Sequence, residues 1–171
     1  MTAALWNRLD VWARRLIPAG LSVVFVLVTV VPFAIPGYAA MVPMLVLASV
    51  FFWAIHHPGL LPPVVVFAIG LVQDILTGAL VGSGAVVLLL VYGVIVSQRI
   101  FFRNKSFLVV WWGFMMVTLG AGALNWLFAS AFAGQLILPR AAAFQVLVTV
   151  AIYPLLTWIL HGVHRLLPKE A

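Results

Sequence analysis

Phe67-Ala-Ile-Gly-Leu-Val-Gln-Asp74-Ile-Leu-Thr-Gly78 is the stretch on which the reading of this chain turns. Asp74 is the only Asp, Glu, Lys or Arg between Arg15 and Arg99, and apolar sequence lies on both sides of it. A carboxyl group in that setting belongs to a helix within the bilayer. It costs several kcal/mol there unless it is neutralised, paired or turned toward protein interior.

The rest of the chain supports a membrane setting. Of 171 residues, 66% are hydrophobic and 7% charged, and the mean hydropathy is +1.26. A soluble domain of this size could not cover that apolar surface, so the composition indicates an all-α integral membrane protein forming one polytopic domain over residues 1–171. Six apolar segments stand out, at about 16–35, 40–56, 61–81, 84–100, 107–130 and 142–163, each near the ~20 residues that a spanning helix needs. Breakers separate them: Pro36-Gly37, His56-His57-Pro58-Gly59 with Pro62-Pro63, Gly82-Ser83-Gly84, Arg103-Asn104-Lys105, and Gly134 to Pro139. The first apolar run continues to Ile35 without a small-x-small cleavage site and reads as a retained span.

The positive-inside rule tests this layout. With six spans and both termini cytoplasmic, the inner side holds Arg8, Arg14, Arg15, Arg99, Arg103, Lys105, Arg165 and Lys169, and the outer side only Arg140. Merging residues 61–100 into a single span destroys most of that bias. The net charge of +6 therefore marks topology and contacts with anionic lipid, not a nucleic-acid partner. Residues 1–15 read as an interfacial basic lead-in, because Trp6, Leu9, Trp12 and Leu16 recur at helical spacing with Arg8, Arg14 and Arg15 largely off that stripe.

On a period of 3.6, Gly70, Gln73, Asp74, Thr77 and Gly78 fall along one side of the third helix, with Leu71, Val72, Ile75 and Leu76 on the others. Such a small-and-polar stripe is a packing surface, in which glycines admit another backbone and polar groups bond across the contact. Gly82 and Gly84 permit a turn so tight that the third and fourth helices are antiparallel neighbours. Asp74 then has two readings: a structural one, protonated or bonded to a neighbouring helix and fixing register, and a functional one, binding a ligand, a cation or a partner helix. Gln73, Thr77, Asn125 and Gln145 could meet it, with Tyr92 and Tyr153 as hydroxyl donors; Asn125 is the best second buried polar point.

Catalytic constellations are missing. Val81-Gly82-Ser83-Gly84 lacks the first glycine of an intramembrane serine-protease motif, and Ser83 and His161 are expected at opposite faces of the membrane. His56-His57 point apart, and His161 with His164 have no third ligand beside them, so no metal site and no cofactor is expected. There is no cysteine, which excludes thiolate chemistry. Trp6, Trp12, Trp53, Trp111, Trp112 and Trp158 lie near segment ends, as interfacial anchors do, while Trp126 does not fit that role.

The run from His57-Pro58 through Leu61-Pro62-Pro63 to Phe67, Gly70, Asp74 and Gly78, and on to Gly82-Ser83-Gly84, resembles the rod shape-determining protein MreD family. That family's pattern is Arg/His-Pro-x-x-x-Pro, then Phe-x-x-Gly-x-x-x-Asp-x-x-x-Gly, then a glycine turn. The match covers roughly 30 residues in order and spacing, with length and six-span layout agreeing elsewhere. His57 stands where the family more often has Arg, which leaves that loop short of fixed charge.

The resemblance implies a non-enzymatic subunit of the bacterial elongation (rod) complex in the inner (cytoplasmic) membrane. Its expected partner is the bitopic shape protein MreC, with the actin-like MreB and wall-synthesis enzymes of peptidoglycan, in the control of cell shape. It also implies a six-helix architecture like the substrate-binding subunits of energy-coupling-factor transporters. Gly70, Asp74, Thr77, Gly78 and Asn125 are the expected partner-binding or helix-packing residues; Arg99, Arg103 and Lys105 are the expected cytoplasmic contact to lipid or a partner. The alternative function is a substrate-binding membrane subunit of a vitamin-type transporter, which needs a cavity with convergent polar groups.

Overall fold

In the computed structural model, the structure describes residues 19–29, 44–56 and 58–166, the last few of these by backbone alone. Among the described residues the regular structure is all helical, in six helices: α1 Ala19–Thr29, α2 Leu45–His56, α3 Pro63–Thr77, α4 Ser83–Arg103, α5 Phe107–Ala133 and α6 Arg140–Leu166, with one 3-10 turn at Pro58–Leu60. Three of them are long and apolar enough to cross a membrane: Ser83–Arg103, Phe107–Ala133 and Arg140–Gly162; α1, α2 and α3 are shorter apolar helices. The interfacial lead-in at 1–15, the linker at 36–39, His57 and both termini lie outside the described residues.

Local chemistry sets the ends. The third helix, expected over 61–81, runs only from Pro63 to Thr77. Proline at its first position needs no intrahelical donor, and Gly78 adopts the left-handed conformation (φ 67°) that closes the last turn. The fourth and fifth helices run past their expected ends, to Arg103 and to Ala133, where Gly134 (φ 64°) takes the same left-handed cap.

α2 sits at the centre. Every side chain from Val46 to Ile55 is buried, enclosed by α4, α5 and α6 and tied to α1 by a hydrogen bond between Ser22 and Ser49 hydroxyls at 3.0 Å. Trp53 is fully buried here, which corrects its expected place as an interfacial anchor. A helix apolar on all sides is a core element, and α2 shows that chemistry. The outward faces of α4, α5 and α6 carry Val94, Ile100, Leu108, Met116, Leu147 and Trp158, all exposed, a surface suited to lipid.

At one end of the bundle the contacts are aromatic. Phe51 meets Phe102, Phe114 and Tyr153 edge to face, and Phe114 stacks on Tyr153 at 3.9 Å between centroids. Phe52 stacks on His56 at 4.3 Å, and the ring of His161 lies 5.5 Å from that of His56. Pro154 interrupts α6 and cannot donate to the carbonyl of Val150 four residues earlier. Trp111 Nε1 of α5 donates to that carbonyl at 3.1 Å, so this tryptophan repairs a helix defect where the sequence suggested a belt anchor. A backbone acceptor freed inside an apolar bundle needs such a partner.

Candidate functional site

Asp74 joins α3 to α4. Gly82 is the residue before α4, in the left-handed region (φ 98°), and brings no side chain to cap the helix. The amides of the second and third helical positions are those that a capping side chain normally satisfies. Here Asp74, eight residues upstream, does so: its Oδ2 accepts hydrogen bonds from Gly82 N at 2.9 Å, Gly84 N at 3.1 Å and Ala85 N at 3.2 Å. Ser83 N donates instead to Leu80 O at 3.0 Å, and Val86 N to Gly82 O at 2.9 Å. Every amide from Gly82 to Val86 therefore has an acceptor, as the partly buried start of a helix requires. The positive end of the α4 dipole also faces the acid.

The main chain of the same residue closes α3. Its carbonyl accepts the amides of Gly78 and of Ala79, the latter at 3.0 Å. Asp74 is thus bonded at both ends of the turn, and it is buried, with 3% of its surface exposed. Glycines make the room. A Cβ at Gly84 would overlap the Asp74 carboxylate, and one at Gly70 would overlap the backbone of Ala85, so α3 and α4 touch almost main chain to main chain. Gly78 plays a different part from Gly70: no atom lies within 4 Å of a Cβ placed there, and its contribution is its left-handed conformation.

The remaining expected residues divide. Thr77 Oγ1 donates back to Gln73 O at 2.8 Å and Asp74 O at 3.4 Å. Asn125 and Gln145, both half-buried, line a cavity of about 540 Å3 together with Gln73, Asp74, Thr77 and Ser83. Tyr153 is about two turns further along α6 than Gln145, in the aromatic cluster. Arg99, Arg103 and Lys105 are exposed at the other end of α4, where cations oppose the negative end of its dipole; the ammonium of Lys105 lies 5.2 Å from the ring centre of Phe101.

Sequence reasoning missed what Asp74 binds, because it sought side chains and the partners are backbone amides. The available signal was a glycine-led helix start following an acid one hairpin earlier. It also missed Trp126, whose Nε1 donates to Ile137 O at 2.8 Å and ties α5 to the loop before α6. Ser83 Oγ donates to Leu80 O at 2.8 Å. No group of three His, Cys, Asp or Glu side chains able to hold a metal occurs among the described residues.

The fold and this site define a class: an apolar helical membrane protein whose third and fourth helices are clasped by one acid and a set of glycines. The family model described as rod shape-determining protein MreD matches residues 12–163. The chain belongs to the MreD family, and so to proteins that act in rod shape determination. Comparison with curated proteins and with solved structures returned no match.

Proposed function

We propose that this protein is a non-enzymatic scaffold of the bacterial elongation complex, a multi-pass protein of the inner membrane with six spans and both termini in the cytoplasm. It engages the transmembrane helix of an MreC-like bitopic protein, and through it MreB and the enzymes of peptidoglycan synthesis. The observation that carries this reading is the family match across residues 12–163. The geometry supports it, because the acid that an intramembrane enzyme would use is taken up in helix packing. In this account Gly70, Asp74 and Gly78 hold the α3–α4 hairpin in the shape that a partner recognises, and Thr77 and Asn125 lie along its open side. Arg99, Arg103 and Lys105 meet anionic headgroups or a cytoplasmic partner.

The experiment is affinity purification from detergent-solubilised native membranes, with bound proteins identified by mass spectrometry. Recovery of a bitopic shape protein and wall-synthesis enzymes is expected. Recovery of an ATPase pair with a coupling membrane subunit would replace the proposal by solute uptake. The topology is checked by Ser106→Cys and Gly37→Cys: the two thiols should label from opposite sides of the membrane, and labelling from one side would break the six-span arrangement.

A further inference from the structure

The cavity at the α3–α4 turn has unspent chemistry. Gln73 Oε1 is buried and has no hydrogen-bond partner among the described residues. Asp74 accepts its three backbone amides on Oδ2, and its Oδ1 takes no hydrogen bond among the described residues. The amides of Asn125 and Gln145 face the same space from α5 and α6. Apolar walls come from Met44, Leu80 and Phe132, and among the described residues no Lys, Arg or His lines the cavity.

Small-molecule sites are concave, of roughly 300–1,000 Å3, mostly apolar and furnished with a few converging polar groups. At about 540 Å3 this cavity has that size and lining. A buried acceptor without a donor is destabilising and marks a place where a donor belongs. A carboxylate or phosphate ligand would meet Asp74 with no cation to offset it. We propose that the cavity between α3, α5 and α6 binds a small molecule whose recognised end is an N–H donor, an ammonium or a primary amide, held by Gln73, Asp74 and Asn125. An ammonium of this kind is found both on free amines and on phosphatidylethanolamine headgroups. The proposal goes beyond scaffolding and does not depend on the identity of any protein partner.

The test uses the full chain in phosphatidylcholine nanodiscs, with ethanolamine, acetamide and acetate as probes, read by saturation-transfer NMR. Ethanolamine or acetamide should bind and acetate should not. Gln73→Met and, separately, Asn125→Leu should each weaken binding about tenfold, the effect of one lost hydrogen bond. Should Gln73→Met fail to fold, Asn125→Leu on a different helix carries the test alone. Repeating the titration with phosphatidylethanolamine in the nanodisc separates the sources: lost ethanolamine binding assigns the site to the lipid headgroup, and unchanged binding assigns it to a free molecule. Binding of acetate as strong as that of the donors would overturn the proposal, as would unaltered affinity in the folded variants. Absence of probe binding would overturn it too. If an Asn125→Cys thiol were then also shielded from a small polar reagent, the cavity would be assigned to the protein's own chain.

Discussion

Where α3 turns into α4, the contacts are hydrogen bonds from backbone amides to one buried carboxylate, made possible by glycines. Where α2, α4, α5 and α6 meet around Phe51, they are ring against ring, with no charged group taking part. In a bilayer the hydrophobic effect does not drive helices together, so both ends rely on packing and on backbone satisfaction. They differ in tolerance. Rings can be exchanged for other apolar groups of similar volume at modest cost, because the new group restores most of the contacts. A carboxylate serving three amides has no such substitute, since removing it leaves three donors of the packed turn without their acceptor. The polar end is therefore the brittle one.

Gly84→Leu should be the most damaging change, because its side chain needs the space that the Asp74 carboxylate occupies. Folded protein in membrane extracts should fall close to background; near-normal yield would show that the hairpin can open without penalty. Asp74→Leu follows, with an expected loss of about 2–4 kcal/mol, on the scale of a buried charged hydrogen-bonding group. Asp74→Asn keeps an acceptor oxygen and should lose less; equal losses in equilibrium unfolding of the purified protein would mean that the negative charge dominates over the hydrogen bonds. At the aromatic end, Phe114→Leu should cost about 1–2 kcal/mol in the same assay, since it removes a ring face from Tyr153 and keeps an apolar filling. A larger loss than that of Asp74→Leu would reverse the ranking of the two ends. Smallest is Trp111→Phe, which deletes only the donor to Val150 O and should cost about 1 kcal/mol. An unchanged midpoint would show that the carbonyl beside Pro154 finds another partner.

The legible parts of this molecule were those written in period and punctuation. The isolated acid, the glycines at 70, 78, 82 and 84, and the breakers between apolar runs place the α3–α4 hairpin and the starts and stops of the later helices to within a few residues. The burial of Trp53 was not legible, since a tryptophan near a helix end has the same local sequence whether it faces headgroups or sits inside a central helix. Nor was the pairing of Trp111 with the carbonyl that Pro154 frees, which depends on the relative heights of α5 and α6. The role of Asp74 was half legible. Its need for a partner follows from the membrane, but a list of side chains cannot contain the amides that turned out to be the partners.

The measurement that bears most directly on this account is amide hydrogen exchange at Gly82, Gly84 and Ala85 in the wild type and in Asp74→Leu, with the amides of Phe102 and Phe114 as internal reference. The account predicts strong protection at the three amides in the wild type, its loss in the variant, and unchanged protection at the aromatic end. Equal protection at Gly82, Gly84 and Ala85 in both proteins would contradict it, because the amides would then be held by something other than Asp74.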